Sequence, residues 1–353
     1  MKLYSNITIL VGIWVISLVI ISFFGLSTFA KSDFSGSGFL NNLAFWDGGH
    51  YLEIAEFGYT DDFLYAFFPL YPLTLRGVNQ IIQNYTLSAI LVSFLSFFLA
   101  ANLLYRLVSL DFSKKLAEKS ILWLLFFPTS FFFLTAYSEG LFFLFVVSSF
   151  LFLRKGNLFL ATLFAALASA TRLAGMAVVL ALLGDVYLRD GFNKKNWYVL
   201  LSFGGIFVYC FFLFKTTGDA FYFISAENHW LRSLSLPGVG FWESLKSIVS
   251  WSYVENRFNL ILELLFAIFG LGMAIRSFRF LPSSYATYAL ASVALPLFTS
   301  SLTSMPRFLL PVFPIFILMA LIENKYVTFA FQLIFILLLS AFTIMFTNGN
   351  WVS

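Results

Sequence analysis

The feature that most limits how this chain can fold is a succession of apolar runs, each close to the length a helix needs to cross a bilayer. About 20 apolar residues rise ~30 Å in a helix, the thickness of a hydrocarbon core. Runs bounded by charge, Gly or Pro lie at 7–28, 86–108, 120–137, 139–153, 157–171, 173–188, 197–214, 258–275, 283–303, 307–322 and 326–347. They predict an all-α integral membrane protein, a polytopic bundle of about 11 transmembrane helices, with the third to sixth runs short enough to be tilted or merged. The bundle is expected to form one domain over residues 1–353. Composition agrees, since 60% of residues are hydrophobic and 11% charged, against ~25% charged in a soluble domain. The first run is too long for a signal-peptide core and has no convincing cleavage site, so it reads as a retained helix. A lone cysteine, Cys210, cannot form an intramolecular disulfide and reads as structural.

Basic residues then orient the bundle, because short cytoplasmic loops retain Lys and Arg. With the N-terminus inside, one set of turns holds 13 of the 21 Lys and Arg, among them Lys114, Lys115, Lys119, Lys194 and Lys195. The opposite face, read as extracytoplasmic, carries Lys31 and Arg76 and the two long connections, 29–85 and 215–257, with most of the acidic residues. Within them, 62–82 is apolar, Pro-punctuated and too broken to span, which suits an interfacial or re-entrant segment. Residues 240–251 separate Phe241, Leu245, Ile248 and Val249 from Glu243, Lys246 and Ser247, the pattern of an amphipathic helix lying on the membrane. Chemistry is therefore expected on that face.

Ionisable groups within or beside spans cost ~2.5–3.5 kcal/mol each at a helix centre on the insertion scale, so their positions carry information. The first loop supplies Trp46, Asp47, His50, Tyr51, Glu53 and Glu56 in close succession. If a helix starts at Gly49, Asp47 is its N-cap and His50 stands one turn above it. The same face receives Tyr137 and Glu139, Arg172 in Thr171-Arg172-Leu173, and Arg307 after Pro306. A lone Arg there would be a snorkelling anchor, but two Arg near a His and two carboxylates suit an anion, because the guanidinium fork binds phosphate oxygens in pairs. At a membrane surface, that anion is expected to be a lipid phosphate. His229 is equally an interfacial side chain or a further member of the site.

Other chemistries have less support. Two histidines and one cysteine do not make a zinc site, and Asp61-Asp62 reads as solvated surface rather than a Mg²⁺ site. No metal and no cofactor is expected to be required. There is no phosphate-binding glycine loop, and scattered basic residues with a net charge of +4 argue against nucleic acid as a partner.

At these residues the chain resembles a known family. Trp46-Asp47-x-x-His50-Tyr51-x-x-Ile54-Ala55-x-x-Gly58-Tyr59, then Ala66-Phe67-Phe68-Pro69-Leu70-Tyr71-Pro72, is similar to the PIG-V family, which adds the second mannose in glycosylphosphatidylinositol assembly. Phe127-Pro128-Thr129-Ser130, Ala136-Tyr137-Ser138-Glu139-Gly140, Ala170-Thr171-Arg172-Leu173-Ala174-Gly175 and Arg307-Phe308-Leu309-Leu310-Pro311 come later in the chain in the family's order. The resemblance implies a GT-C fold and sugar transfer, with inversion, from a polyprenyl-phosphate-linked sugar donor to a lipid- or glycan-linked acceptor outside the cytoplasm. It implies Asp47 as the catalytic residue. Leu173-Ala174-Gly175 stands where relatives often carry Asn-Gly, which leaves the acceptor open.

On this reading Asp47 takes a proton from the acceptor, His50, Arg172 and Arg307 hold the donor phosphate, and Trp46, Tyr51, Tyr137, Glu139 and His229 support the substrates. The membrane expected is the plasma membrane in a prokaryote and the endoplasmic reticulum in a eukaryote. A transporter or flippase for a lipid-linked sugar is the alternative, since it too needs cations among apolar helices.

Overall fold

The computed structural model describes residues 2–29, 38–250 and 257–352. Lys31 and Trp251 lie outside the described residues. In chain order the helices are α1 (Lys2–Phe29), α2 (Asp47–Phe57), α3 (Leu70–Ile82), α4 (Tyr85–Asp111), α5 (Lys114–Phe126), α6 (Glu139–Arg154), α7 (Leu158–Thr171) and α8 (Gly175–Asp190). They continue with α9 (Gly204–Thr217), α10 (Tyr222–Ala226), α11 (Val239–Val249), α12 (Arg257–Phe280), α13 (Ser283–Leu297), α14 (Met305–Leu309), α15 (Phe313–Ala320) and α16 (Lys325–Thr347). Among the described residues the one β-type pairing is an isolated bridge between Leu234 and Thr299.

The all-α membrane architecture holds, but the apolar runs are not equal. Among the described residues five helical segments are long and apolar enough to cross a bilayer: Asn6–Phe29, Tyr85–Asp111, Trp197–Thr217, Arg257–Phe280 and Lys325–Thr347. The other runs form shorter helices. Run 120–137 stops as a helix at Phe126, because Pro128 has no N–H to continue the ladder. Beyond Pro128 the chain forms a buried 3₁₀ turn, Ser130–Leu134, and an irregular stretch. Such backbone is tolerated at membrane depth only inside protein. Here Ala136 N–H donates to Leu43 O at 2.8 Å, and the Ser130 hydroxyl donates to Leu125 O at 2.7 Å. Run 307–322 divides into α14 and α15 around Pro311, and run 283–303 ends at Leu297, beside Pro296.

Contacts group the chain into two compact units. The first comprises residues 1–58, 70–154 and 316–352. At its centre α4 and α6 touch backbone to backbone, because a side chain at Gly140 would have to sit against the carbonyl of Ser93. Little of α6 is exposed, so this helix, apolar all round, meets protein rather than lipid. Phe97 stacks on Phe133 with ring centroids 4.1 Å apart, and Phe346 of α16 packs edge-on to Phe132 and Tyr137. An ion pair between Asp111 and Arg154 ties the far ends of α4 and α6. Gly140→Ala is therefore expected to push the two helices apart and cost about 1–3 kcal/mol, the usual range for overpacking. Thermal unfolding of the detergent-solubilised protein measures it, and an unchanged midpoint would show that the contact is slack.

The second unit comprises residues 59–69 and 155–315. Its aromatic centre joins the first long connection to α9. Phe68, Tyr209, Leu213 and Phe223 are buried together, the Tyr209 hydroxyl donates to Tyr65 O at 2.6 Å, and the Tyr59 hydroxyl donates to Phe67 O at 2.8 Å. Cys210 sits half-buried at the edge of this cluster. The expected amphipathic helix is present as α11, which leaves Trp242, Leu245 and Val249 uncovered.

Candidate active site

In the first unit the helix at the Trp-Asp motif begins earlier than Gly49. Trp46 takes φ 58° and ψ −125°, a left-handed turn uncommon for a residue with a side chain, and the helix starts at once with Asp47. The N-cap expected at Asp47 is thus at Trp46, which makes no side-chain capping bond, and Asp47 is the first helical residue. There its carboxylate faces the positive end of the helix dipole. Asp47 is buried, 9% exposed, while Trp46 remains open and packs edge-on against Trp351 at 5.3 Å. His50, three residues on and so one turn further along, is half-exposed, with Nδ1 4.0 Å from the Glu53 carboxylate.

The segment before α6 holds this helix start in place. The Tyr137 hydroxyl donates to Phe45 O at 3.0 Å. At Gly48 the Tyr137 ring and Ala136 O lie within 3.4 Å of where a Cβ would stand, so the motif's first glycine permits a close approach. Tyr51 and Ser138 share a hydrogen bond of 2.9 Å. Beneath them the Tyr71 hydroxyl bonds Ser93 at 2.8 Å, and the Ser93 hydroxyl donates to Tyr137 O at 2.7 Å. Glu139, 1% exposed, opens α6, and its charge acts on Tyr71. One polar knot therefore joins α2, α3, α4 and the segment before α6 through Tyr51, Tyr71, Ser93, Tyr137 and Ser138, with Asp47 at the start of α2 and Glu139 at the start of α6 next to it in the chain.

Arg172 and Arg307 belong to the second unit. Arg172 ends α7 in extended conformation, φ −155° and ψ 150°, and α8 turns back at once. Only Gly175 allows that return, since a Cβ there would stand 2.4 Å from the backbone of Ala168. Arg307 is buried in the short α14, entered through Ser304 at φ 68° and Pro306. Arg232 shares their electrostatic surroundings. Burial pushes its guanidinium below the ordinary Arg range, the Glu227 carboxylate opposes this, Arg307 and Arg172 add to it, and Glu263 opposes it again.

His229 lies elsewhere in this unit, at a 3₁₀ turn, Glu227–Trp230, with its ring stacked 4.4 Å from Phe63. It lines a cavity of about 350 Å³ with Asp61, Asp62, Phe63, Tyr222, Ser225 and Ala226. Among the described residues, no three His, Cys, Asp or Glu side chains gather as a metal ion would require.

Four residues at these two places are not expected from the sequence. Glu263 has a readable signal, a carboxylate inside the apolar run of α12, where an ionisable group is rarely idle. Arg232 reads as ordinary loop charge and Ser93 as a neutral membrane residue, while Tyr71 lies in the Pro69-Leu70-Tyr71-Pro72 stretch quoted for the resemblance but has no expected role at the site.

Comparison with known proteins bears on this geometry. The family described as mannosyltransferase (PIG-V) matches residues 24–216. The GPI alpha-1,6-mannosyltransferase 2 of Homo sapiens is 33% identical over 154 residues, covering 40% of this chain and 31% of that protein. The GPI mannosyltransferase 2 of Drosophila melanogaster is 34% identical over 114 residues, 29% of this chain and 25% of that protein. The GPI mannosyltransferase pigv-1 of Caenorhabditis elegans is 32% identical over 133 residues, 33% of this chain and 20% of that protein. The alignments thus span less than a third of these relatives' length. The family match includes the Trp-Asp helix start, and with more than half of its residues inside that match the chain belongs to the mannosyltransferase (PIG-V) family.

Proposed function

We propose that this protein is a membrane mannosyltransferase that moves a sugar from a polyprenyl-phosphate donor to a hydroxyl of a lipid- or glycan-linked acceptor on the extracytoplasmic face. The observation that carries the reading is the buried Asp47 carboxylate at the first turn of α2, on a helix start fixed by Tyr137, Tyr51 and Ser138. A base held in this way loses little orientational freedom when it meets the acceptor. The family match supports the reaction class.

The chemistry is a single displacement. The acceptor oxygen attacks the anomeric carbon, its proton passes to Asp47, and the electron pair of the breaking carbon–oxygen bond goes to the phosphate. Charge grows on that phosphate as it leaves, and Arg172 and Arg307 stabilise it in proportion. His50 donates a hydrogen bond to the same phosphate, and attack opposite the leaving group inverts the anomeric centre. Glu139, buried at the start of α6 directly after Ser138, fixes an arginine or a sugar hydroxyl. The uncovered apolar side chains of α11 suit a helix resting on the lipid surface.

Purified protein in vesicles, given polyprenyl-phosphate mannose with a radiolabelled sugar and a membrane lipid extract, tests the proposal. Label is expected to move into the acceptor lipid fraction. Movement of intact donor between leaflets with no transfer would overturn the proposal in favour of a transporter.

A further inference from the structure

The second unit holds a third cation that the proposed displacement leaves unused. Arg232 comes after the Glu227–Trp230 turn, where Leu231 takes φ 55° and the chain reverses. The stretch after it is bonded to the stretch before α14. Leu234 pairs with Thr299, Ser235 N–H donates to Phe298 O at 2.9 Å, Ser300 N–H donates to Ser233 O at 2.9 Å, and Gly238 N–H donates to Leu297 O at 3.2 Å. Gly240 sits close against Thr299 O, so the start of α11 closes on the same stretch. This small clip fixes the backbone that carries Arg232 against the segment that leads to Arg307.

The side chains complete the arrangement. Arg232 Nε donates to Thr299 Oγ1 at 3.3 Å, and its guanidinium carbon stands 4.8 Å from the centre of the Phe308 ring. The guanidinium carbon of Arg307 stands 5.8 Å from the centre of the same ring. Two cations on one aromatic ring repel each other, and partial burial strengthens the repulsion. Phe308 attracts each of them but does not cancel their charge. Arg307 and Arg172 act on Arg232 as like charges, and Glu227 and Glu263 as opposite ones. A bound anion would relieve the repulsion between the two guanidinium groups that share Phe308.

We propose that Arg232 is a third ligand of the donor phosphate, so that the anion is gripped from three segments of one unit: the end of α7, the clipped loop at 231–238 and α14. This rests on the reading of Arg172 and Arg307 as a phosphate site. The loop then does more than cover the site, because its closure against residues 297–300 delivers a charged hydrogen-bond donor to the leaving group. The competing role is purely structural, with Arg232 anchoring its loop through Thr299 and Phe308.

Charge separates the two roles. Arg232→Gln keeps a donor for Thr299 and a planar group over Phe308 but has no charge, whereas Arg232→Lys keeps the charge and loses the fork. The full chain in detergent would be titrated with a polyprenyl monophosphate, and with the matching polyprenol as a control. Arg232→Gln is expected to weaken the monophosphate by about 10- to 100-fold, the range for losing a hydrogen bond to a charged group. Arg232→Lys is expected to recover part of the loss, and the salt dependence of binding should be shallower in Arg232→Gln than in the native chain. Native affinity in Arg232→Gln, or equal losses for monophosphate and polyprenol, would overturn the proposal and leave a loop anchor. Failure of the native protein itself to prefer the monophosphate over the polyprenol would instead overturn the phosphate reading of Arg172 and Arg307.

Discussion

Asp47→Asn is expected to lower sugar transfer by about 10²–10⁴-fold, the contribution of a positioned general base, while binding of the polyprenyl-phosphate donor stays within about a factor of two. Asn is the same size and still fits the first turn of α2, where Asp47 is the first helical residue and Trp46 supplies the turn. The helix start is also held by bonds that do not involve this side chain, from Tyr137 to Phe45 O and from Tyr51 to Ser138. The substitution therefore removes basicity and leaves the architecture. Steady-state transfer and donor titration on the same preparation separate the two effects. Full transfer by Asp47→Asn would remove the carboxylate from the mechanism, and a parallel loss of donor binding would assign it to the substrate's ground state.

Arg307→Leu should fall nearly as far, by about 10²–10³-fold in turnover, the usual loss when a group that stabilises growing charge is removed. Here the protein should remain folded. Arg307 is buried in α14 beside Leu309 and Pro306, and Arg232 on the same Phe308 ring repels its charge, so an apolar side chain of similar bulk fills the space and relieves that repulsion. Arg307→Lys should recover part of the activity, because the charge remains and the paired donors do not. A melting midpoint well below that of the native protein would make the activity loss a folding effect. A stable, fully active Arg307→Leu would place the leaving group elsewhere.

Much of the fold is legible in the chain because lipid imposes one rule on each segment. Runs 7–28, 86–108, 258–275 and 326–347 appear as long helices, and 240–251 appears as α11, since length and periodicity decide those cases. Runs 120–137 and 307–322 fail for one physical reason. They are apolar enough to span but contain Pro128 and Pro311, and the broken backbone survives by burial in protein rather than by helical bonding. Apolarity signals a dry environment, and it does not separate lipid from protein interior.

The site divides in the same way. Asp47, Tyr137, Glu139, Arg172 and Arg307 stand out as polar residues in an apolar background. The knot of Tyr71, Ser93 and Tyr137 joins residues 22 and 44 positions apart through hydroxyl groups that local pattern cannot connect. Arg232 is hidden for the opposite reason: it sits in a polar loop, where charge is ordinary, and only the pairing of that loop with residues 297–300 gives it a role.

In the proposed transfer the Asp47 carboxylate takes the acceptor's proton, and the guanidinium groups of Arg172 and Arg307 take the charge of the donor's leaving phosphate. The most direct measurement is the structure of the protein with an uncleavable donor analogue, a polyprenyl phosphonate joined to the sugar through carbon. Phosphonate oxygens are expected ~3 Å from guanidinium nitrogens of both arginines, and the Asp47 carboxylate within hydrogen-bond reach of where the acceptor oxygen must approach the anomeric carbon. A phosphonate held away from both arginines, or a sugar with Asp47 out of reach, would contradict it.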